Sequence, residues 1–317
     1  MKQNTLNTDI LNPNSQLELY GYKEKFDFFV SLFKKNKLPN SILLSGSKGI
    51  GKATFAYHFI NYLFSIYQDN PYLVDKNIID KNNLSYKHLL NNTHPNFFLI
   101  EKEKDEKEIK IENIRNLLKF LSKTTDSKNL KIVLIDNAED LNINSSNTLL
   151  KALEEPNENT FFFLIYNNAS KLINTIKSRC INFNFFLTNK QKKTILQKIL
   201  YQYDLKLDLK KINNSFVQDS PRNFIKFLSL NSDNLLDIIF EYLNNFKLDK
   251  NLNNLNFLSL LIEKHYNELL LNNNNNHMFH LHNYSKVILY INNLRKFNLN
   301  DKNTLILIED ILLNEKK

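Results

Sequence analysis

Three of the four glycines in this chain fall within six consecutive residues, Gly46-Ser47-Lys48-Gly49-Ile50-Gly51, and Lys52, Ala53 and Thr54 follow directly. At ordinary usage of about 7% a chain of 317 residues carries roughly 22 glycines; this one has 4. Glycine meets two demands, positive φ and close approach of the backbone to something else. The spacing GxxxxGK, between a short apolar run and an amphipathic stretch, reads as a phosphate-binding loop opening a helix. Backbone N–H groups of such a loop point at phosphate oxygens, the helix dipole adds to them, and Lys52 pairs with the β and γ phosphates. A glycine-rich turn without a ligand is the competing reading. The position after the lysine usually carries a Mg²⁺-binding hydroxyl, and here it is Ala53, with Thr54 one residue late. ATP binding is therefore expected, with Mg²⁺ coordination impaired.

Lys131 to Asp136 (KIVLID) is an apolar run ending on a carboxylate, suitably placed to hold Mg²⁺ through water. The next residue, Asn137, stands where a hydrolysing site carries a water-polarising glutamate. An amide is no general base. Glu139 and Asp140 lie at the wrong offset and read as a solvated helix start. Hydrolysis by this chain alone is expected to be weak or absent. Arginine is scarce beside lysine, with only Arg115, Arg179, Arg222 and Arg295. Where such a chain uses arginine, planar bidentate geometry is a reason; chance placement is the alternative.

The elements that must position these groups alternate. Residues 18–36 show a turn at Gly21 and then a helical apolar face of Phe26, Phe29, Val30 and Phe33. Strands are expected at Ser41–Ser45, Phe97–Ile100, Lys131–Asp136 and Thr160–Ile165. Helices are expected after the glycine loop, over Ile111–Leu121, and over Ser145–Glu155 with Pro156 closing it. Residues 1–17 read as a loose arm, 67–93 as a loop or small insertion, and 101–110 as a solvated turn. Strands alternating with helices predict a parallel sheet in an α/β domain. Beyond about residue 187 the strand signal ends. Short helices follow to about 230, Pro221 opening the last, and a helical region runs to the end. The Asn272–Asn276 run reads as a solvated loop. The expected division is 1–187, 188–232 and 233–317.

Lys+Arg 42 against Asp+Glu 33 gives a net charge of +9. That balance permits an anionic partner such as nucleic acid, although Asn, Lys, Ile, Leu and Phe dominate the whole composition. The single cysteine, Cys180, excludes an intramolecular disulfide framework and a four-cysteine zinc module. It reads as a small buried filler. His94 reads as a turn histidine, because no second metal ligand lies at helical spacing. No secretory h-region and no apolar stretch of about 20 residues is present, so a cytoplasmic chain with no membrane partner is expected.

Four segments in order, Gly46–Thr54, Asp136–Leu141, Asn147–Pro156 (NTLLKALEEP) and Ser178-Arg179-Cys180, resemble the clamp-loader branch of the AAA+ proteins. Leu38-Pro39-Asn40-Ser41, His94-Pro95-Asn96 and Ile173–Cys180 add to the resemblance, which is clear over roughly 18–187 and weaker beyond, apart from Asn298-Leu299-Asn300. It implies a P-loop AAA+ domain with a parallel sheet (1–187), a small helical lid (188–232) and an all-α collar for oligomerisation (233–317). It implies that Gly46, Ser47, Lys48, Gly49, Ile50, Gly51, Lys52, Ala53, Thr54 and Asp136 face the nucleotide. Asn167 and Arg222 would be its two sensors. Arg179 would be an arginine finger, carried on a helix and reaching the nucleotide of a neighbouring ATPase subunit, or else hold a surface salt bridge. Lys151 would meet a DNA phosphate, or be an exposed helix lysine. Residues 67–93 lack the zinc-binding cysteines many such ATPases carry, so no zinc is expected. The missing Mg²⁺ and water-polarising residues point to a non-hydrolysing stator of the bacterial DNA polymerase III clamp loader. Its expected partners are the tau or gamma subunits and delta, with the sliding clamp and primed DNA reached through the complex. A self-sufficient motor-type ATPase, using Thr54 for Mg²⁺, is the alternative. A P-loop kinase is a third reading, disfavoured because only Arg222 is available as a lid arginine.

Overall fold

The computed structural model describes residues 12–103, 106, 108–123, 130–202, 220–228, 234–249, 252–272, 276–296 and 302–314. Residues 1–11 of the expected arm, 203–219 of the expected lid, most of the 272–276 asparagine run and the 298–300 segment lie outside the described residues. The chain divides into two compact units, residues 1–209 with Ser220–Arg222, and residues 210–219 with 223–317.

In the first unit the elements run α1 (Lys23–Lys34), β1 (Ser41–Gly46), α2 (Lys52–Ser65), α3 (Leu84–Leu90), β2 (Phe97–Ile100), α4 (Ile111–Ser122) and β3 (Lys131–Ile135). There follow α5 (Ile143–Glu154), β4 (Thr160–Asn167), α6 (Asn174–Lys177), β5 (Ile181–Asn184) and α7 (Asn189–Gln202). The five strands form one parallel sheet in the order β2-β3-β4-β1-β5. This is the α/β sheet that the alternating pattern predicts. Successive strand residues point to opposite faces. Ile42, Leu44, Ile132, Leu134, Phe161 and Phe163 therefore enter one core, with α1 and α2. Leu43, Val133, Ile135, Phe162 and Leu164 enter the other, with α4, α5 and α6. A sheet covered on both faces explains the unbroken apolar runs of β3 and β4.

Aromatic rings fill the first core. Phe29 meets Phe55 edge-on at 5.1 Å and Phe59 at 5.3 Å. Ile195 from α7 joins this core.

Four local expectations are corrected. From Asn12 onward the expected loose arm is docked: Gln16 O lies 3.1 Å from His58 Nε2, and Leu17 O accepts from Ile79 N at 2.8 Å. The 67–93 insertion contains α3, capped by Asn83, whose side chain accepts from Tyr86 N. The 101–110 segment is not wholly a solvated turn, because Ile109 is fully buried and bridges Leu141. A fifth strand, β5, lines the outside of β1; its residues are mostly exposed, so it lacks the apolar run that marks the inner strands.

The second unit holds α8 (Pro221–Leu228, whose first two residues belong to the first unit), α9 (Leu235–Asp249), α10 (Leu252–Asn272), α11 (His277–Lys296) and α12 (Lys302–Asn314). Helices α9 to α12 share a core that includes Ile239, Leu243, Phe246, Leu258, Leu261, Ile262, Ile291 and Ile308. An ion pair between Lys247 and Glu309 ties α9 to α12.

Candidate functional site

Parallel strands deliver their C-terminal ends to one rim of the sheet, where open α/β sheets bind ligands. Gly46 ends β1 and is in register with Asn167, the last residue of β4. Asp136 follows the last residue of β3, and its N–H donates to Ile100 O at 2.9 Å. The loop 46–51 and the start of α2 rise from this rim.

Two glycines are required by contact. At Gly46, φ is 153° and an added Cβ would lie 2.4 Å from Phe185 O. At Gly49, φ is 81° and a Cβ would lie 2.4 Å from Ser220 Oγ and 3.2 Å from Arg222 Cβ. The Arg222 N–H donates to Gly49 O at 3.4 Å, so this second expected sensor sits against the loop. Ser47 and Lys48 are exposed, Ala53 and Thr54 half-buried, and Ile50 buried, with its carbonyl accepting from Tyr22 Oη at 2.9 Å. Tyr22 packs edge-on against Phe185 at 5.0 Å, and burial raises its hydroxyl pKa, so it stays a donor. Sequence reasoning missed Tyr22, since one aromatic near a turn carries no signal of its own.

Lys52 is 5% exposed. Its ammonium donates to Gly46 O at 2.8 Å and Ser47 O at 2.7 Å. Burial pulls its pKa down to about 8, against the opposing pull of Glu139 and Asp136. Burial raises the Asp136 carboxyl above its ordinary range, opposed by the Asn137 N–H at 3.0 Å and by Arg222, Lys52 and Lys48.

Glu139 is the residue the sequence reading misplaced. Asn137 adopts φ 53°, and a 3-10 turn over Ala138–Asp140 turns the chain back toward the rim. The Glu139 carboxylate accepts from Asn167 N at 3.2 Å and lies within electrostatic reach of Lys52. It is half-buried rather than solvated, and burial raises its pKa. Asp140 pairs with Lys102 at 3.1 Å. The Asn167 amide turns onto its own loop, its Oδ1 accepting from Ala169 N at 3.2 Å. Lys52, Asp136, Glu139, Asn167 and Arg222 thus gather around one loop. A buried cation beside a loop held close to Phe185 and Ser220 by Gly46 and Gly49 is a donor set that suits the phosphates of a nucleotide. For a divalent cation the set offers Asp136 but no hydroxyl at Ala53.

Arg179 lies elsewhere. Ile181 pairs with Ile42 at the start of β1, so Arg179 stands at the opposite end of the sheet from Gly46. Gly46 lies four residue steps along β1 from Ile42, about 13 Å at roughly 3.3 Å per residue. Arg179 is not on a helix as expected: α6 ends at Lys177, and Arg179 occupies the turn before β5. Its guanidinium pairs with Glu154 at the end of α5, and Nη1 donates to Thr175 O at 3.0 Å. Lys151 is exposed in the last turn of α5.

Cys180 is buried, with its thiol pushed up to about 12, as a filler would be. His94 stacks on Phe64 with ring centroids 3.9 Å apart, and its Nδ1 accepts from Asn96 N at 3.3 Å, which suits a turn histidine. Among the described residues no helix is long and apolar enough to cross a membrane.

Residues 21–189 match the protein-family model described as DNA polymerase III, delta subunit. The chain is 37% identical over 142 residues to the DNA polymerase III subunit delta' of Pseudomonas aeruginosa, covering 45% of this chain and 42% of that protein. It is 28% identical over 225 residues to the subunit delta' of Buchnera aphidicola subsp. Schizaphis graminum, covering 66% of each. The subunit delta' of Bacillus subtilis is 31% identical over 148 residues, covering 46% of this chain and 42% of that one. The matches span from 42% to 66% of these relatives' lengths. A gamma subunit-related protein of Thermotoga maritima superposes with a TM-score of 0.45 at 15% identity, covering 90% of this chain and 97% of that one. Because the family model covers more than half of the chain and these relatives carry the delta-prime name, the chain belongs to the DNA polymerase III delta-prime family.

Proposed function

We propose that this chain is a stator subunit of a DNA polymerase III clamp loader, helping to load a sliding clamp on primed DNA and supplying Arg179 to the nucleotide site of a neighbouring ATPase subunit. The observation that carries this reading is the placement of the two cationic groups at opposite ends of one sheet. Lys52 serves the chain's own loop, whereas Arg179 is a strand's length away and on the surface. A guanidinium brought to a γ-phosphate from a neighbour stabilises charge developing in phosphoryl transfer. In its own site the chain would hold ATP through the 46–51 loop, Lys52 and Arg222, and Asn167 would stand beside the terminal phosphate. ATP, when bound, supplies the phosphate charge that these groups order. Ala53 and Asn137 leave that site without a Mg²⁺-binding hydroxyl and without the usual general base. The proposed partners are the tau or gamma and delta subunits.

The competing reading is a self-sufficient ATPase, and the inward turn of Glu139 favours it, since a carboxylate there faces the loop lysine. Co-elution separates the two. The chain is mixed with the tau or gamma and delta subunits of the same organism, sized, and assayed for ATPase activity in each fraction. A mixed complex is expected, with activity falling by about 10³-fold or more for Arg179→Ala, the lower end of what removal of an arginine finger produces. Lys52→Ala should still assemble and assist. A chain that elutes alone and turns over ATP would sink the stator reading.

A further inference from the structure

Arg179 reaches the surface already engaged. Its Nε donates to Glu154 Oε1 at 2.5 Å, and Nη2 pairs with the same oxygen. Nη1 donates to Thr175 O at 3.0 Å and to Ser178 Oγ at 3.4 Å. Guanidinium carries five N–H groups in a fixed fork. Four are taken by these partners, and the Nε/Nη2 edge, the one that grips a carboxylate or phosphate with two parallel bonds, is the edge Glu154 covers. The two side chains are 30% and 45% exposed, so water and salt screen the pair.

We infer that Glu154 is an intramolecular competitor for Arg179: its carboxylate occupies the anion-binding edge of the guanidinium until a phosphate from another subunit displaces it. This rests on the proposed trans role of Arg179 and adds its regulation. Thr175 O and Ser178 Oγ hold Nη1 throughout, so the guanidinium keeps its plane while its charged partner is exchanged. The contact lowers the apparent affinity of the neighbouring site for nucleotide and suppresses stray anion binding by an unassembled chain. An exposed pair is weak enough to be displaced, and its loss corresponds to a change of about two- to five-fold.

Two measurements test it. In the isolated full chain, labelled at arginine nitrogen, the Arg179 Nε–H resonance is assigned by its loss in Arg179→Ala; the chain has only four arginines. The resonance should be protected from solvent exchange in the parent and exchange faster in Glu154→Gln. An unprotected parent resonance would overturn the inference. In the mixed complex, Glu154→Gln should lower the ATP concentration for half-maximal ATPase two- to five-fold, with kcat little changed, and have no effect once Arg179 is alanine. A raised half-saturation or a lowered kcat would make Glu154 a support rather than a competitor, and an unchanged half-saturation would equally overturn the inference. If Arg179→Ala leaves ATPase activity intact, the trans reading fails, while the exchange measurement still decides whether Glu154 covers the guanidinium.

Discussion

Lys52 is a cation placed where water is nearly absent, and its two short bonds to Gly46 O and Ser47 O are the solvation it retains. The buried site favours the neutral amine, so the proton leaves near pH 8 instead of near 10.5. The folded pKa is depressed, so between about 8 and 10.5 the unfolded chain holds a proton that the folded chain lacks. This group's contribution to stability is therefore complete above 10.5 and lost as pH falls to about 8. Anion binding runs the other way, because phosphate needs the charged form. ATP affinity, measured by calorimetry, should fall as pH rises through about 8, approaching tenfold per unit, and binding near pH 8 should take up protons from the buffer. Lys52→Ala should bind weakly at every pH and lose that dependence. A parent affinity flat from pH 7 to 10 would show that Lys52 does not carry the phosphate.

At the scale of elements, α5 has its N-terminus near the 3-10 turn that carries Glu139 and its C-terminus at Glu154. Its start is fixed by Asn142, whose side chain accepts from Ser145 N at 2.8 Å, while Ser145 Oγ donates to Ile109 O at 2.8 Å. Its end is tied to the sheet through Ser41 Oγ, which donates to Leu153 O at 3.2 Å. Removing the cap with Asn142→Ala should lower unfolding free energy by about 1 kcal/mol, read from a urea midpoint shift at constant slope. Asn142→Asp should restore most of it, because a carboxylate caps as well as an amide. A full loss with both variants would mean that the contact acts through packing instead. The element boundaries of α5 were legible from its pattern and from Pro156. Glu139 was not, because its direction is set by the positive φ of Asn137, which sequence spacing alone does not reveal.

At the scale of the whole molecule, the net charge of +9 is a long-range property and Lys151 a local test of it. Phosphate contacts make nucleic-acid affinity fall with salt in proportion to their number. If Lys151 meets a DNA phosphate within the assembled complex, Lys151→Ala should weaken primed-DNA binding for all sequences alike. It should also reduce the slope of log affinity against log salt by about one. An unchanged slope would leave Lys151 an exposed helix lysine.

The chain's order of residues determined the parallel α/β sheet, the glycine-rich loop between β1 and α2 and the carboxylate that follows β3. Each depends on local periodicity or on glycine packed into a few positions, and both are written along the chain. Tertiary structure decided what needs distant segments to meet. It turned Glu139 to Asn167 and Lys52, brought Tyr22 to Ile50, laid Ser220–Arg222 on Gly49, and set Arg179 against Glu154 at the far end of the sheet. Strand register fixes that last separation, and register follows from which faces of β1 and β5 find a core.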